Sequence, residues 1–224
     1  MADIDVYLEV GDRRVFACTY DWPGWVRPGK TEDAALEALT AYAPRYAPIP
    51  AAAGIEFDPA SAQGIQVVER LPGDATTAFG APGKIPPGDL EEPSEAQKER
   101  LLSLLTACWE VFDQVAATSP ESLRKGPRGG GRDRTKIVAH VLAAEAGYGR
   151  LLGLKLPEPQ PFEADTIAAH RASVLDGLRQ ADATVRRDVG RRRWPIRYAT
   201  RRIAWHALDH AWEIEDRTDP AGGR

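Results

Sequence analysis

Two histidines near the end of the chain are spaced to share one metal ion. His206 and His210 lie four residues apart in the segment RYATRRIAWHALDHAWEIEDR (197–217). On an α-helix this spacing places both imidazoles on one face, one turn apart. Apolar residues recur at helical spacing through the segment, and both histidines fall at the edge of that apolar stripe. The spacing suits two ligands of one metal ion, but His-x3-His pairs also arise by chance, so two ordinary core-edge or capping histidines remain the alternative.

A third histidine lies in another helical pattern and can complete the site. His140 is at the edge of the apolar stripe of KIVAHVLAAEAGYGRLL (136–152), and the small residues Ala143, Ala144 and Gly147 leave volume beside it. Three neutral imidazoles leave a position on the ion open, which is typical of a catalytic metal site. A shared ion requires rings within about 6 Å of one another, because metal–nitrogen bonds are about 2 Å long. The alternative for His140 is a hydrogen-bonded core-edge residue.

Two charged residues on the last helix are candidates for supporting roles. Arg202 lies one turn before His206, where its guanidinium can bind a substrate carboxylate or polarise a substrate oxygen. Glu213 lies about one turn beyond His210, where its carboxylate can hydrogen-bond a ligating imidazole and fix its tautomer. For each residue the alternative is an ordinary ion pair between positions i and i+4 of a charged helix. The pattern does not identify a catalytic residue.

A glycine-rich basic loop precedes the helix that carries His140. In KGPRGGGR (125–132), the backbone N–H groups of Gly129, Gly130 and Gly131 can cradle an anion such as a charged thiol cofactor. The segment is not a Walker A motif, because no Gly-Lys-Ser/Thr sequence follows. The alternative is a mobile loop that binds no ligand.

Three other chemically interesting features are interpreted as structural. The basic run at 191–193 lacks interleaved aromatic residues beyond Trp194, which favours a solvated segment over an RNA-binding patch. His170 matches no motif. Glu145 falls on the opposite edge of its helix from His140 and is therefore not counted as a ligand.

Composition excludes several broad classes of function. The chain has 224 residues and a net charge of −4, so no basic excess points to nucleic acid. No apolar run approaches the roughly 20 residues of a membrane span, and the first residues lack the basic segment of a secretory signal. The two cysteines, Cys18 and Cys108, are too distant in sequence to indicate a disulfide framework or a zinc knuckle. These features favour a cytoplasmic protein with no membrane partner.

The first part of the chain is predicted to be a small α+β unit of order β-β-α-β. The predicted strands cover residues 4–10, 15–20 and 64–70. The DWPG segment (21–24) interrupts the strand pattern. Thr31 is a candidate N-cap of a helix that continues to about Ala47.

The remainder is predicted to be helical, with a Pro- and Gly-rich linker before it. The predicted helices cover residues 94–117, 133–152, 164–188 and the segment from 197. Four helices of this length favour a four-helix bundle. The predicted organisation is an α+β domain at 1–79, a linker at 80–93, a four-helix bundle at 94–217 and a tail at 218–224.

The N-terminal unit resembles the HicB-like fold. That family shows a DxPG…GdT-x-eEA pattern, and the matching residues are Asp21, Pro23, Gly24, Gly29, Thr31, Glu32, Ala34 and Ala35. HicB-like domains occur in antitoxins, so the resemblance implies an interaction module linked to a partner or to RNA. The chain lacks the DNA-binding tail of that family. This favours a helper domain that shapes a pocket or a homodimer contact.

The helical part resembles the DinB superfamily. A helix with aHv-x-aE precedes a terminal helix with WH-x3-H-x-WEIEDR, and the resemblance covers residues 94–217. In that superfamily a four-helix bundle binds a divalent metal through three histidines, and the matching residues are His140, His206 and His210. Members include transferases and isomerases that use low-molecular-weight thiols such as mycothiol or bacillithiol.

Three functional hypotheses follow from these resemblances. The first is a thiol-dependent S-transferase or isomerase that uses a divalent ion, with zinc or nickel favoured, and a small-molecule or thiol ligand. The second is a metal- or ligand-binding stress protein without catalysis. The third is a HicB-like interaction module. For the first two, metal occupancy is expected to fall as the imidazoles protonate near pH 6.

Overall fold

The computed structural model describes residues 4–125, 131–180 and 194–218, which form a mixed sheet followed by a helical region. The strands are β1 (Ile4–Val10), β2 (Val15–Thr19), β3 (Val26–Gly29) and β4 (Ile65–Pro72). The shorter helices are α1 (Glu32–Ala41), α2 (Ala43–Tyr46), α3 (Pro48–Ala52) and α4 (Ala75–Phe79). The longer helices are α5 (Glu95–Thr118), α6 (Arg134–Leu151), α7 (Ala164–Arg179) and α8 (Ile196–Arg217). The α+β class predicted from the sequence is confirmed.

The sheet has the order β3-β2-β1-β4 and contains one strand that the sequence analysis missed. β1 and β2 form the predicted antiparallel hairpin, and β4 pairs with β1 in parallel after the chain crosses through α1 to α3. The missed strand, β3, lies at the sheet edge and contains Pro28. Proline cannot donate to a strand ladder, so it is confined to edges, and its presence masked this short strand in the sequence.

The first predicted helix begins where expected but ends early. The Thr31 side chain accepts a hydrogen bond from the Ala34 N–H at 3.2 Å, as an N-cap does. The prediction that the helix continues to Ala47 is wrong, because α1 ends at Ala41 and two short helices follow. Pro44 explains the break, since its ring clashes with the carbonyl four residues earlier and it has no N–H to donate.

The four long helices lie close to their predicted ranges. α5 starts with a capping box in which Ser94 and Gln97 bond each other's backbone N–H groups. α7 is described to Arg179, and the rest of the predicted 164–188 helix lies outside the described residues. In the described ranges, no helix has the length and apolar character needed to cross a membrane.

The buried core continues from the sheet into the long helices. Trp25 donates to the Leu39 carbonyl at 2.9 Å, and the Tyr46 hydroxyl donates to the Pro23 carbonyl at 2.9 Å. Gly24 has a φ of 90°, and a Cβ there would lie 2.5 Å from Leu208 Cδ1 on α8. The DWPGW turn therefore packs directly on the helix that carries two of the histidines.

The segment predicted as a linker is anchored to α8 by a buried ion pair. Asp89 Oδ1 accepts a hydrogen bond from Arg201 Nη1 at 2.7 Å, and both side chains are almost fully buried. The Arg201 guanidinium also lies over the rings of Tyr7 and Tyr20. Burial raises the pKa of Asp89, and the charge of Arg201 opposes that shift. This pair joins the 80–93 segment to the helical region.

We expect Gly147→Ala to stabilise the protein by about 0.5–1 kcal/mol, because alanine restricts the unfolded chain and favours a helix. A Cβ at position 147 would meet only Arg150 Nη2, at 3.6 Å, so the native helix accepts it without strain. Urea unfolding measures the change. Gly29→Ala is the contrasting variant, because its Cβ would lie 2.2 Å from the backbone nitrogen of Ala35. Equal effects of the two substitutions would contradict this account.

Candidate metal centre

The structure brings three histidines together from two helices. α6 supplies His140, and α8 supplies His206 and His210. The ring centroids are 5.0 Å apart for His140 and His206, 5.0 Å for His140 and His210, and 4.7 Å for His206 and His210. All three separations are inside the limit of about 6 Å for a shared ion. The predicted clustering of these histidines is confirmed.

Two of the three candidate ligand atoms have the spacing that a shared ion requires. The Nε2 atoms of His140 and His206 lie 3.3 Å apart. Two nitrogens bound to one tetrahedral zinc ion at about 2.0–2.1 Å are separated by about 3.3 Å. One ligand atom from each of the three histidines lies within 4.8 Å of the others, with His210 completing the set. Among the described residues, no other group of acids, cysteines and histidines is so placed.

A carboxylate fixes the orientation of one ring. His210 Nδ1 lies 2.7 Å from Glu213 Oε2. This contact is the first cause that lowers the pKa of Glu213, so Glu213 is ionised at neutral pH and can only accept the hydrogen bond. His210 Nδ1 is therefore the donor of this hydrogen bond, which leaves Nε2 as the ring nitrogen that can ligate an ion. Glu213 also pairs with Arg217 at 2.7 Å, so the contact to His210 and an i,i+4 ion pair coexist.

The other two rings are neutral at pH 7. Burial lowers the pKa of His140 to about 4, and the charges of Arg132 and His210 add to the effect. Burial also holds the pKa of His206 well below its usual value, assisted by His210 and Arg202. Neutral imidazoles are the metal-binding form. Protons therefore compete for these two nitrogens at lower pH than they do at an exposed histidine.

Arg202 lies beside the cluster without an acidic partner. Its guanidinium carbon is 5.4 Å from the centroid of the Tyr148 ring and 4.5 Å from that of Trp205. The Tyr148 ring is in turn 5.8 Å from the His206 ring. Within the described residues Arg202 forms no ion pair, and its Nη1 atom is buried without a hydrogen-bond partner. The alternative of an i,i+4 ion pair therefore has no support for this residue.

The remaining candidates from the sequence either lie outside the described residues or have other partners. Gly129, Gly130 and the basic run at 191–193 lie outside the described residues. Gly131 is described, and its carbonyl faces the Lys125 ammonium. His170 is buried, with Nδ1 3.2 Å from the Pro157 carbonyl, which agrees with a structural role.

Two buried groups near α6 and α7 form a separate structural network. Glu145 lies 3.3 Å from Arg171, and Arg171 also pairs with Asp113 at 2.6 Å. Burial raises the pKa of Glu145, and the charge of Arg171 opposes the shift. Glu145 is thus paired in the interior and is not a member of the histidine cluster.

The sequence analysis did not single out Arg132. Its charge acts on both His140 and His206, and its carbonyl accepts a hydrogen bond from Arg217 Nη2 at 2.7 Å. Arg132 belongs to a loop and precedes the helix, so no periodic pattern assigns it to the histidine face. Only its position directly before the His140 helix could have suggested it.

Neither cysteine lies in the cluster. Cys18 in β2 and Cys108 in α5 are free thiols with no exposed surface. Burial raises the pKa of both thiols well above the usual range. The described part of the chain therefore offers no thiolate of its own to the three histidines.

Comparison with known proteins leaves the chain without an assigned family: no protein-family model, no curated protein and no solved structure matches it.

Proposed function

We propose that this protein binds one divalent metal ion through His140, His206 and His210 and keeps a position on that ion for a small-molecule ligand. The observation that carries the proposal is the 3.3 Å separation of the His140 and His206 Nε2 atoms, with a His210 nitrogen within 4.8 Å. The donor set suits the ion, because neutral imidazoles are common metal ligands and the two lowered pKa values keep them neutral. The DinB-like motif in the sequence supports the same assignment.

Zinc and nickel are the metals we favour. Imidazole nitrogen suits borderline ions such as these, and the cluster contains no thiolate that would select a softer metal. The hydrogen bond from His210 to Glu213 holds one ring in the ligating tautomer, as outer carboxylates do at zinc sites. Three protein ligands leave a tetrahedral ion with one position open.

A thiol is the ligand that best fits this open position. When bound, the ion would lower the pKa of an incoming thiol and supply a thiolate nucleophile at neutral pH. The protein's own cysteines are buried, so the thiol must come from outside the chain. Ala143, Ala144 and Gly147 are only half-buried and lie on the same helix as His140, which leaves room for a ligand to approach. The activity proposed is a thiol-dependent transferase or isomerase of the DinB kind.

Metal binding by single-histidine variants tests the proposal. The protein is stripped with a chelator, refilled with zinc, nickel or cobalt, and its metal content is measured by elemental analysis. We expect about one ion per chain for the wild type. His140→Gln, His206→Gln and His210→Gln should each lose more than about 100-fold in affinity, which is the upper end of what an outer hydrogen-bonding partner is worth.

His170→Gln is the matched control, because it removes the remaining histidine of the chain's four and lies outside the cluster. It should retain the wild-type metal content, and circular dichroism checks that every variant is folded. A wild-type protein that binds none of the three ions would exclude the proposed function. Turnover of a low-molecular-weight thiol with an epoxide then separates an enzyme from a protein that only binds metal.

A further inference from the structure

Arg202 is a half-buried cation that forms no ion pair with any of the described residues. Most other arginines packed against the core have acidic partners: Arg201 pairs with Asp89, and Arg171 pairs with Glu145. Arg202 forms no ion pair within the described residues, and its Nη1 atom has no hydrogen-bond partner. A buried donor without an acceptor costs free energy, so this arrangement indicates a position that a ligand completes.

The surroundings of Arg202 hold its guanidinium in place. It lies against the faces of Tyr148 and Trp205, and these rings restrict it on two sides. Arg202 is the residue one helical turn before His206, and the Tyr148 ring contacts both of them. The guanidinium of Arg202 is therefore held beside the histidine cluster and does not move freely in solvent.

The neighbouring acids do not satisfy this charge. The charge of Arg202 acts on Asp209 of the same helix, but the ion pair of Asp209 is with Arg27 at 3.3 Å. Glu213 is engaged by both His210 and Arg217. Asp209 and Glu213 thus form their ion pairs with other residues, and the Arg202 guanidinium has no ion pair within the described residues to compete with an external anion.

We infer that Arg202 binds a carboxylate on the same molecule that supplies the metal-binding atom, so the ligands of this site are acidic thiols. The inference rests on the proposed metal centre. Four residues of helix rise about 6 Å, so the metal-binding sulfur and the carboxylate should be separated by a few carbon atoms. A guanidinium suits this role, because it can form two parallel hydrogen bonds to a carboxylate.

The cobalt-loaded protein provides the test, since a thiolate bound to Co²⁺ gives a charge-transfer absorption that reports binding directly. The two probes are 3-mercaptopropionate, which carries a carboxylate, and 2-mercaptoethanol, which does not. We expect the wild type to bind the acidic thiol at least about tenfold more tightly, in line with charge-assisted hydrogen bonds. Arg202→Gln should abolish that preference, and Arg202→Lys should retain part of it.

Arg197→Gln is the matched control on the same helix. Arg197 is half-buried and bonds the Glu91 carbonyl and Gln97, away from the histidines, so its loss should leave the preference unchanged. If Arg202→Gln keeps the wild-type preference, the carboxylate is held by the metal or by another group and the inference is wrong. If the wild type binds cobalt but does not distinguish the two thiols, the inference is also wrong. If the wild type binds no cobalt, the proposed metal centre itself is wrong, and this result is distinct from a failure of the inference about Arg202.

Discussion

Glu213→Ala is expected to weaken metal binding by about 10- to 100-fold while leaving the protein folded. The carboxylate accepts a hydrogen bond from His210 Nδ1 at 2.7 Å and so leaves Nε2 as the nitrogen that can ligate an ion. Without it, the ring can rotate and can carry its proton on the ligating nitrogen. Glu213→Gln should cost less, because the amide oxygen still accepts the hydrogen bond. Competition for zinc with a chromophoric chelator measures both affinities.

Glu215→Ala is the control for this prediction. Glu215 lies on the same helix two residues away, and its carboxylate pairs with Arg45 at 2.7 Å on the surface. Its removal takes away the same charge without touching a histidine, so the zinc affinity should stay close to that of the wild type. Equal losses in the two variants would show that only the local negative charge matters, and that the orientation of His210 does not.

Asp89→Ala is expected to reduce the free energy of unfolding by about 3–5 kcal/mol, because it leaves the Arg201 guanidinium buried without a counter-charge. The side chains of Arg201 and Asp89 are only 4% and 0% exposed. Water cannot replace the lost carboxylate at such a position. Urea unfolding of the metal-free protein measures the effect, and removing metal keeps ligand binding from adding to the apparent stability.

Two further variants identify the cause of this loss. The double substitution Asp89→Leu with Arg201→Met removes both charges, and it should recover most of the lost stability. Glu99→Ala breaks an exposed pair in which Arg179 and Glu99 are 45% and 55% accessible, and it should cost less than about 1 kcal/mol. A small effect of Asp89→Ala would mean that the 80–93 segment is not anchored by this pair.

Local periodicity placed the three histidines on inward-facing helix edges, and the resemblance to the DinB superfamily was needed to group them as one cluster. Each histidine sits at the edge of an apolar stripe, and a stripe of that kind determines which face of a helix turns inward. The helix ranges around them depend on capping residues and prolines, whose effects extend over only a few positions. The Ser94 cap and the start of α8 after Pro195 were therefore predictable to within one residue.

Features that depend on contacts distant in sequence could not be predicted. β3 is a strand because β2 supplies its hydrogen bonds, and its four residues contain no alternation that indicates this. Arg201 and Arg202 are adjacent and chemically identical, yet within the described residues only Arg201 forms an ion pair, with an acid 112 positions earlier in the chain. No pattern within a single helix distinguishes these two arginines.

The contact between Gly24 and α8 places the turn after β2 directly against the helix that carries His206 and His210. Leu208 lies midway between His206 and His210 in the sequence. The turn can pack against Leu208 because position 24 has no side chain. Any bulk added to that turn would push on the stretch of helix that sets the separation of the two imidazoles. The turn between β2 and β3 thus supports the spacing of the two imidazoles on α8, although none of the described residues of the sheet belongs to the histidine cluster.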